Sequence, residues 1–165
     1  MNFLVSLLCV LMVSPLIGSD VAQHPSRPQF YEKYTLIHVS KKTSYVNKSK
    51  ALASCRAQGK VPITCTITKG KTATRSFGVA LKIPIKTVAA ELGISQQTSV
   101  TLTTGCSARI KSGQTLYAYP VGTRYKYKVK KVTKGSIMQD YNGTTISSWQ
   151  YTFNPYKNDI ACIVK

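Results

Sequence analysis

Residues 124–131, "RYKYKVKK", place Arg124, Lys126, Lys128 and Lys130 on one parity and Tyr125, Tyr127 and Val129 on the other. Successive side chains of a β-strand point to opposite faces, so the stretch predicts a strand with one cationic face and one aromatic, β-branched face. Lys131 follows as a fifth cation. The period of two recurs along the chain. "YTLIHVS" at 34–40 predicts a first strand and "QTLYAY" at 114–119 another. Pro120-Val121-Gly122 then reads as a turn that returns 124–131 as a hairpin partner.

Residues 72–83 set Ala73, Phe77, Val79, Leu81 and Ile83 against Thr72, Thr74, Ser76, Gly78, Ala80 and Lys82, with Arg75 intruding on the apolar side. This predicts a long amphipathic strand stopped by Pro84, and 95–106 alternates again. "SSWQYTF" puts Trp149, Tyr151 and Phe153 on one face. Asn154-Pro155 is expected to break that strand before "DIACIVK" forms a last one.

Helical spacing occurs twice. In 49–59 Ser49 can cap, Leu52 and Cys55 share a face, and Gly59 can terminate. In 85–93 Ile85, Val88, Ala89 and Leu92 stand at i, i+3, i+4 and i+7 before Gly93. Many strands and one or two short helices predict a mainly β domain over 34–165, a single antiparallel β-sandwich or partly closed barrel.

Residues 3–17 are uncharged and apolar apart from two serines, and Gly18 and Ser19 follow. This reads as a secretory signal peptide over 1–19, although no Lys or Arg precedes the apolar run. Residues 20–33 contain two prolines and no period, which predicts an extended arm. Export makes the cysteines informative. Cys9 leaves with the signal, and Cys55, Cys65, Cys106 and Cys162 remain for two disulfides with three connectivities. The segment between Cys55 and Cys65 holds Gly59 and Pro62 and can fold back, so Cys55–Cys65 and Cys106–Cys162 are the expected pairs. No CxxC spacing occurs, which argues against zinc.

The 165-residue chain has 23 Lys and Arg against five acids, a net charge of +18, and every cation lies outside the signal. Such a field draws polyanions: wall polymer, anionic lipid or nucleic acid. Arg124, Lys126, Lys128, Lys130 and Lys131 are the candidate anion-binding residues. A competing reading is that lysines on an edge strand block pairing with other chains. With Tyr125 and Tyr127 on the opposite face, the strip suits phosphates rather than stacked bases.

The acids Asp20, Glu32, Glu91, Asp140 and Asp159 form no paired set, and no nucleophile elbow, HExxH, P-loop or dinucleotide fingerprint is present. A non-catalytic binder without cofactor is therefore expected. The enzymatic alternative is a secreted ribonuclease using Glu32 and His38, although in one strand they would lie roughly 20 Å apart. Two sequons occur, Asn47-Lys48-Ser49 and Asn142-Gly143-Thr144, and the second also reads as a tight turn.

The run from Thr72 to Val129 resembles small secreted proteins of Gram-positive bacteria with no assigned role. They share a Thr/Ser-rich strand, a small-residue crossover, a second Thr/Ser strand and a close like "GQTLYAYPVGTRYKY". The resemblance implies an exported β domain. The two Ser/Thr-rich strands also resemble the stalk of aerolysin-like pore-forming toxins, which implies a membrane-active alternative. Lys82 and Lys86 in the intervening segment, and Cys106 beside it, depart from that pattern.

Overall fold

The computed structural model describes residues 30–135 and 143–165. The signal peptide, residues 20–29 of the arm and Asn142 of the second sequon lie outside the described residues. Residues 30–33, expected in the arm, instead begin the first strand.

The fold is mainly antiparallel β, with nine strands and one helix among the described residues. In chain order these are β1 (Phe30–Val46), β2 (Ala53–Arg56), β3 (Ile63–Ile67), β4 (Thr72–Thr74), α1 (Ile85–Leu92), β5 (Ser99–Thr101), β6 (Cys106–Ile110), β7 (Thr115–Gly135), β8 (Gly143–Ile146) and β9 (Gln150–Val164). β7 organises the rest. At about 3.4 Å per residue its length is about 70 Å. One side pairs with β1 over 121–135 and with β2 over 115–118. The other pairs with β9 over 116–127 and β8 over 130–133. Two ribbons, β3–β6 and β4–β5, come from the intervening chain, and no barrel closes among the described residues.

The expected hairpin at Pro120-Val121-Gly122 does not form, because β7 runs straight through it. Pro120 fits the strand for a local reason. The Pro120 carbonyl accepts the Asn47 N–H at 3.0 Å, so Pro120 faces the break between β1 and β2, where a missing donor interrupts nothing. Opposite the same point, β9 leaves the ladder between Pro155 and Ile160. Thr103 meets that excursion, donating its N–H and hydroxyl to the Lys157 carbonyl at 2.8 and 3.1 Å. β9 also continues through Asn154-Pro155, so the two strands expected there are one.

The helix expected at 49–59 is absent, and Ala53–Arg56 forms β2 instead. A two- to three-turn helix is marginal alone, whereas β7 offers this segment a full ladder. The Leu52 N–H donates to the Ala118 carbonyl at 2.8 Å, and the Ala57 N–H to Gln114 at 3.0 Å. The long strand expected at 72–83 stops at Thr74. Ser76 exchanges two backbone hydrogen bonds with Phe153 on the free side of β9, at 3.0 and 3.1 Å. Leu81 (φ 54°) and Lys82 (φ 63°) then adopt the left-handed conformation and turn the chain into α1. That helix forms as its spacing predicts, and Gly93 (φ 64°) ends it. The second Thr/Ser strand likewise shortens to Ser99–Thr101.

β7 buries different sides along its length. The even side is apolar at Leu116 and Ala118, where Cys65 and Ile67 of β3 and Ile110 of β6 pack. The odd side is apolar at Tyr127 and Val129, where Leu36, Ile83 and Val88 pack. A third cluster, Ala73, Val100 and Leu102, joins the β4–β5 ribbon to Leu52 and Ile160. Arg75, the intrusion in the apolar pattern, is 8% exposed and braces the ribbon to the sheet. Its Nε donates to Asn154 Oδ1 at 2.7 Å and its Nη1 to the Gln97 carbonyl. Desolvation pulls its pKa below the usual arginine value.

Both disulfides form as expected, Cys55–Cys65 and Cys106–Cys162, with Cα separations of 5.8 and 6.4 Å. They tie β2 to β3 and β6 to β9.

At Tyr127 the buried hydroxyl donates to the Gly78 carbonyl at 2.6 Å and lies 2.8 Å from Thr152 Oγ1. That oxygen also accepts the Gly78 N–H at 3.2 Å. Tyr127→Phe keeps the ring and strands these partners. The expected loss is about 1.5 kcal/mol, read as a lower urea midpoint at unchanged slope.

Candidate anion-binding face

β7 is flanked on both sides, so the lysine row does not protect a sheet edge. The even side between residues 124 and 130 is the face opposite the Tyr127 core. Directly opposed residues of antiparallel strands share a face. Arg124 therefore shares its face with Lys42 of β1 and Phe153 of β9, and Lys126 with Ser40 and Tyr151. Lys130 shares it with Thr35 and with Ile146 of β8.

β1, β9 and the residue just before β9 bring aromatic rings to this face. The Arg124 guanidinium lies 4.3 Å from the Tyr151 ring centroid and 5.1 Å from that of Tyr45. The ammonium groups of Lys126 and Lys128 lie 4.3 and 5.0 Å from the Trp149 ring. Tyr45 meets Phe153 edge-on at 6.1 Å. Such contacts are worth about 0.5–1 kcal/mol each at exposed sites. They explain how a row of like charges persists: rings are placed against the cations, while acids are scarce.

His38 adds a second constraint. It sits where the β1–β7 register shifts between Ile37 and Ser40, with φ 54°. A left-handed non-glycine residue costs about 1–2 kcal/mol. In that position its imidazole meets the Trp149 ring edge-on at 6.2 Å. Trp149 is the chain's single tryptophan.

Period-two reading of β7 correctly separates its own cations from Tyr125 and Tyr127. It misses Tyr45, Trp149 and Tyr151, because the register of β1 and β9 on β7, and the segment leading into β9, decide which β7 residues they meet. The alternation of Trp149 with Tyr151 was their only sequence signal.

Lys131 departs from the strip. It stands on the odd side with Val129, and its Nζ lies 2.5 Å from Glu32 and 5.8 Å from the Tyr34 ring. The Tyr34 hydroxyl donates to the same carboxylate at 2.6 Å. The Lys131 hydrogen bond, then that of Tyr34, holds the Glu32 carboxyl below its ordinary value, and both partners shift upward. The lowered carboxyl favours the fold above its unfolded pKa, and the contribution is lost as pH falls through the folded value. Glu32 lies opposite Thr133, whereas His38 lies against Trp149, so the pair expected for a ribonuclease is not brought together.

A cavity of about 510 Å³ beside Pro120 is lined by Asn47, Ser49, Lys50, Thr72, Thr74 and Ser76. Asn47 Oδ1 accepts the Ser49 N–H at 3.2 Å and its hydroxyl at 2.7 Å, so the first sequon forms a closed turn. No group of His, Cys, Asp and Glu able to hold a metal occurs among the described residues. In comparisons with protein-family models, curated proteins and solved structures, the chain matches none.

Proposed function

We propose that this is an exported, non-catalytic protein that binds an extended polyanion on the even face of β7. The observation that carries the reading is the seating of Arg124, Lys126 and Lys128 over aromatic rings on the central strand. Side chains held this way lose less freedom on meeting an anion than free lysines do. Successive cations two residues apart along a strand repeat at about 6.8 Å, which suits a polymer with regularly spaced charges. The two disulfides fit an oxidising, extracellular setting. No helix among the described residues is long and apolar enough to cross a membrane.

Replacing Arg124, Lys126, Lys128 and Lys130 with Gln tests the face against bulk charge. The control replaces the exposed Lys33, Lys69, Lys111 and Lys157, removing equal charge. Single-stranded DNA serves as a polyanion of known spacing, and binding is measured across a salt series. At about 0.7 per phosphate contact, loss of four contacts flattens the log–log salt slope by about 3 units. The control is expected to change it by far less. Equal changes would show that only net charge matters.

A further inference from the structure

We propose that the polyanion is single-stranded nucleic acid, with bases stacked on Trp149 and Tyr151 and phosphates held by Arg124, Lys126 and Lys128. The inference rests on the polyanion reading and adds the bases to it.

Four observations converge. Trp149 and Tyr151 present exposed rings, 42% and 44%, although Tyr151 already contacts Arg124 and Trp149 both Lys126 and Lys128. A ring with a cation on one part and solvent on the rest has surface left for a base. Trp149 stands immediately before β9 and Tyr151 is the second residue of that strand, so the two rings are neighbours at the start of β9 and both reach cations of β7. An open sheet face with aromatics beside cations is also how sheet-based modules display unpaired bases. His38 takes a strained backbone conformation with its ring 6.2 Å from that of Trp149 in a T-shaped pair, so the indole is contacted from a second strand.

The same features disfavour other polyanions. Duplex bases are already stacked, and the rings here lie on a sheet face rather than on an element shaped for a groove about 12 Å wide. An acidic polysaccharide would engage the cations and leave the indole without a base partner. A bilayer would favour apolar side chains that lead the charges, whereas the ammonium groups of Lys126 and Lys128 lie within 5.0 Å of the Trp149 ring centre.

The test compares oligothymidylate of about twelve nucleotides, within the size range of such sites, with an abasic oligomer of equal length and charge. Heparin fragments and vesicles of phosphatidylserine and phosphatidylcholine complete the set, all with the disulfide-intact protein. Affinity and the emission of the sole tryptophan are read together. Stacking one base predicts at least about fivefold tighter binding of oligothymidylate than of the abasic oligomer, with quenching of Trp149. Trp149→Ala should lose most of the preference for oligothymidylate over the abasic oligomer, read as the ratio of the two affinities because Lys126 and Lys128 also rest on this ring. Trp149→Phe, which keeps a ring, should retain most of the preference, and an equal loss in both variants would overturn the stacking role. Equal affinity for the two oligomers without quenching would overturn the proposal while leaving the polyanion reading intact. Vesicle binding with a blue shift of Trp149, and no preference for bases, would also overturn it. Binding to none of the four probes would remove both readings.

Discussion

Removing the Cys106–Cys162 bridge is expected to destabilise the protein by about 4 kcal/mol, using the chain-entropy relation for the loop it closes. The two residues are 56 apart in sequence, and the bridge fixes β6, in the intervening segment, to β9. Without it, the β3–β6 ribbon remains attached to the sheet through the Cys55–Cys65 bridge and the cluster around Leu116. The loss is large against the about 5–15 kcal/mol typical of a whole domain. Urea unfolding of Cys106→Ser/Cys162→Ser beside the intact protein measures it. Because Cys162 is exposed and Cys106 half-buried, serine leaves little packing change to confuse the result. A loss under about 1 kcal/mol would mean that the unfolded chain already holds these segments together.

Gly122→Ala is the second large effect, at about 3 kcal/mol, the upper end of overpacking costs. A Cβ there would lie 2.2 Å from the Asn154 carbonyl oxygen and 2.7 Å from Pro155 Cα, both backbone atoms of β9. No rotamer change relieves such a clash, so β9 must move away from β7 beside Arg124 and Phe153. Thermal unfolding and binding of the variant should therefore fall together. By contrast, a Cβ at Gly59 meets nothing within 4 Å, so Gly59→Ala is the matched control.

These two sites also show where the sequence was readable. The cysteine pairs were legible because a glycine- and proline-containing loop limits what Cys55 can reach. α1 was legible because four apolar positions repeat with helical period and Gly93 follows. The cationic row and its opposite aromatic row were legible from β7 alone. The hairpin was not, because Pro120 and Gly122 carry turn chemistry whichever reason placed them there. Here they answer a gap on one side of β7 and a close approach on the other. Even so, the even positions change from Leu116, Ala118, Pro120 and Gly122 to Arg124 and Lys126, which marks the switch of buried side. The helix at 49–59 failed because a partner strand sixty residues away outweighed weak local periodicity. The aromatic half of the site was hidden for the same reason: it is assembled by register between distant segments.

The central position of β7 also sets the order in which the protein can acquire structure. Phe30 pairs with Gly135 and Val46 with Val121, so the first strand synthesised has no partner until most of the chain exists. Pairings of such sequence separation close slowly, on a scale of about milliseconds to seconds. A nascent chain ending before residue 115 therefore lacks the strand on which both β1 and β9 are built. The five-stranded sheet must wait for β7, whereas the β3–β6 and β4–β5 ribbons have both their strands by residue 110.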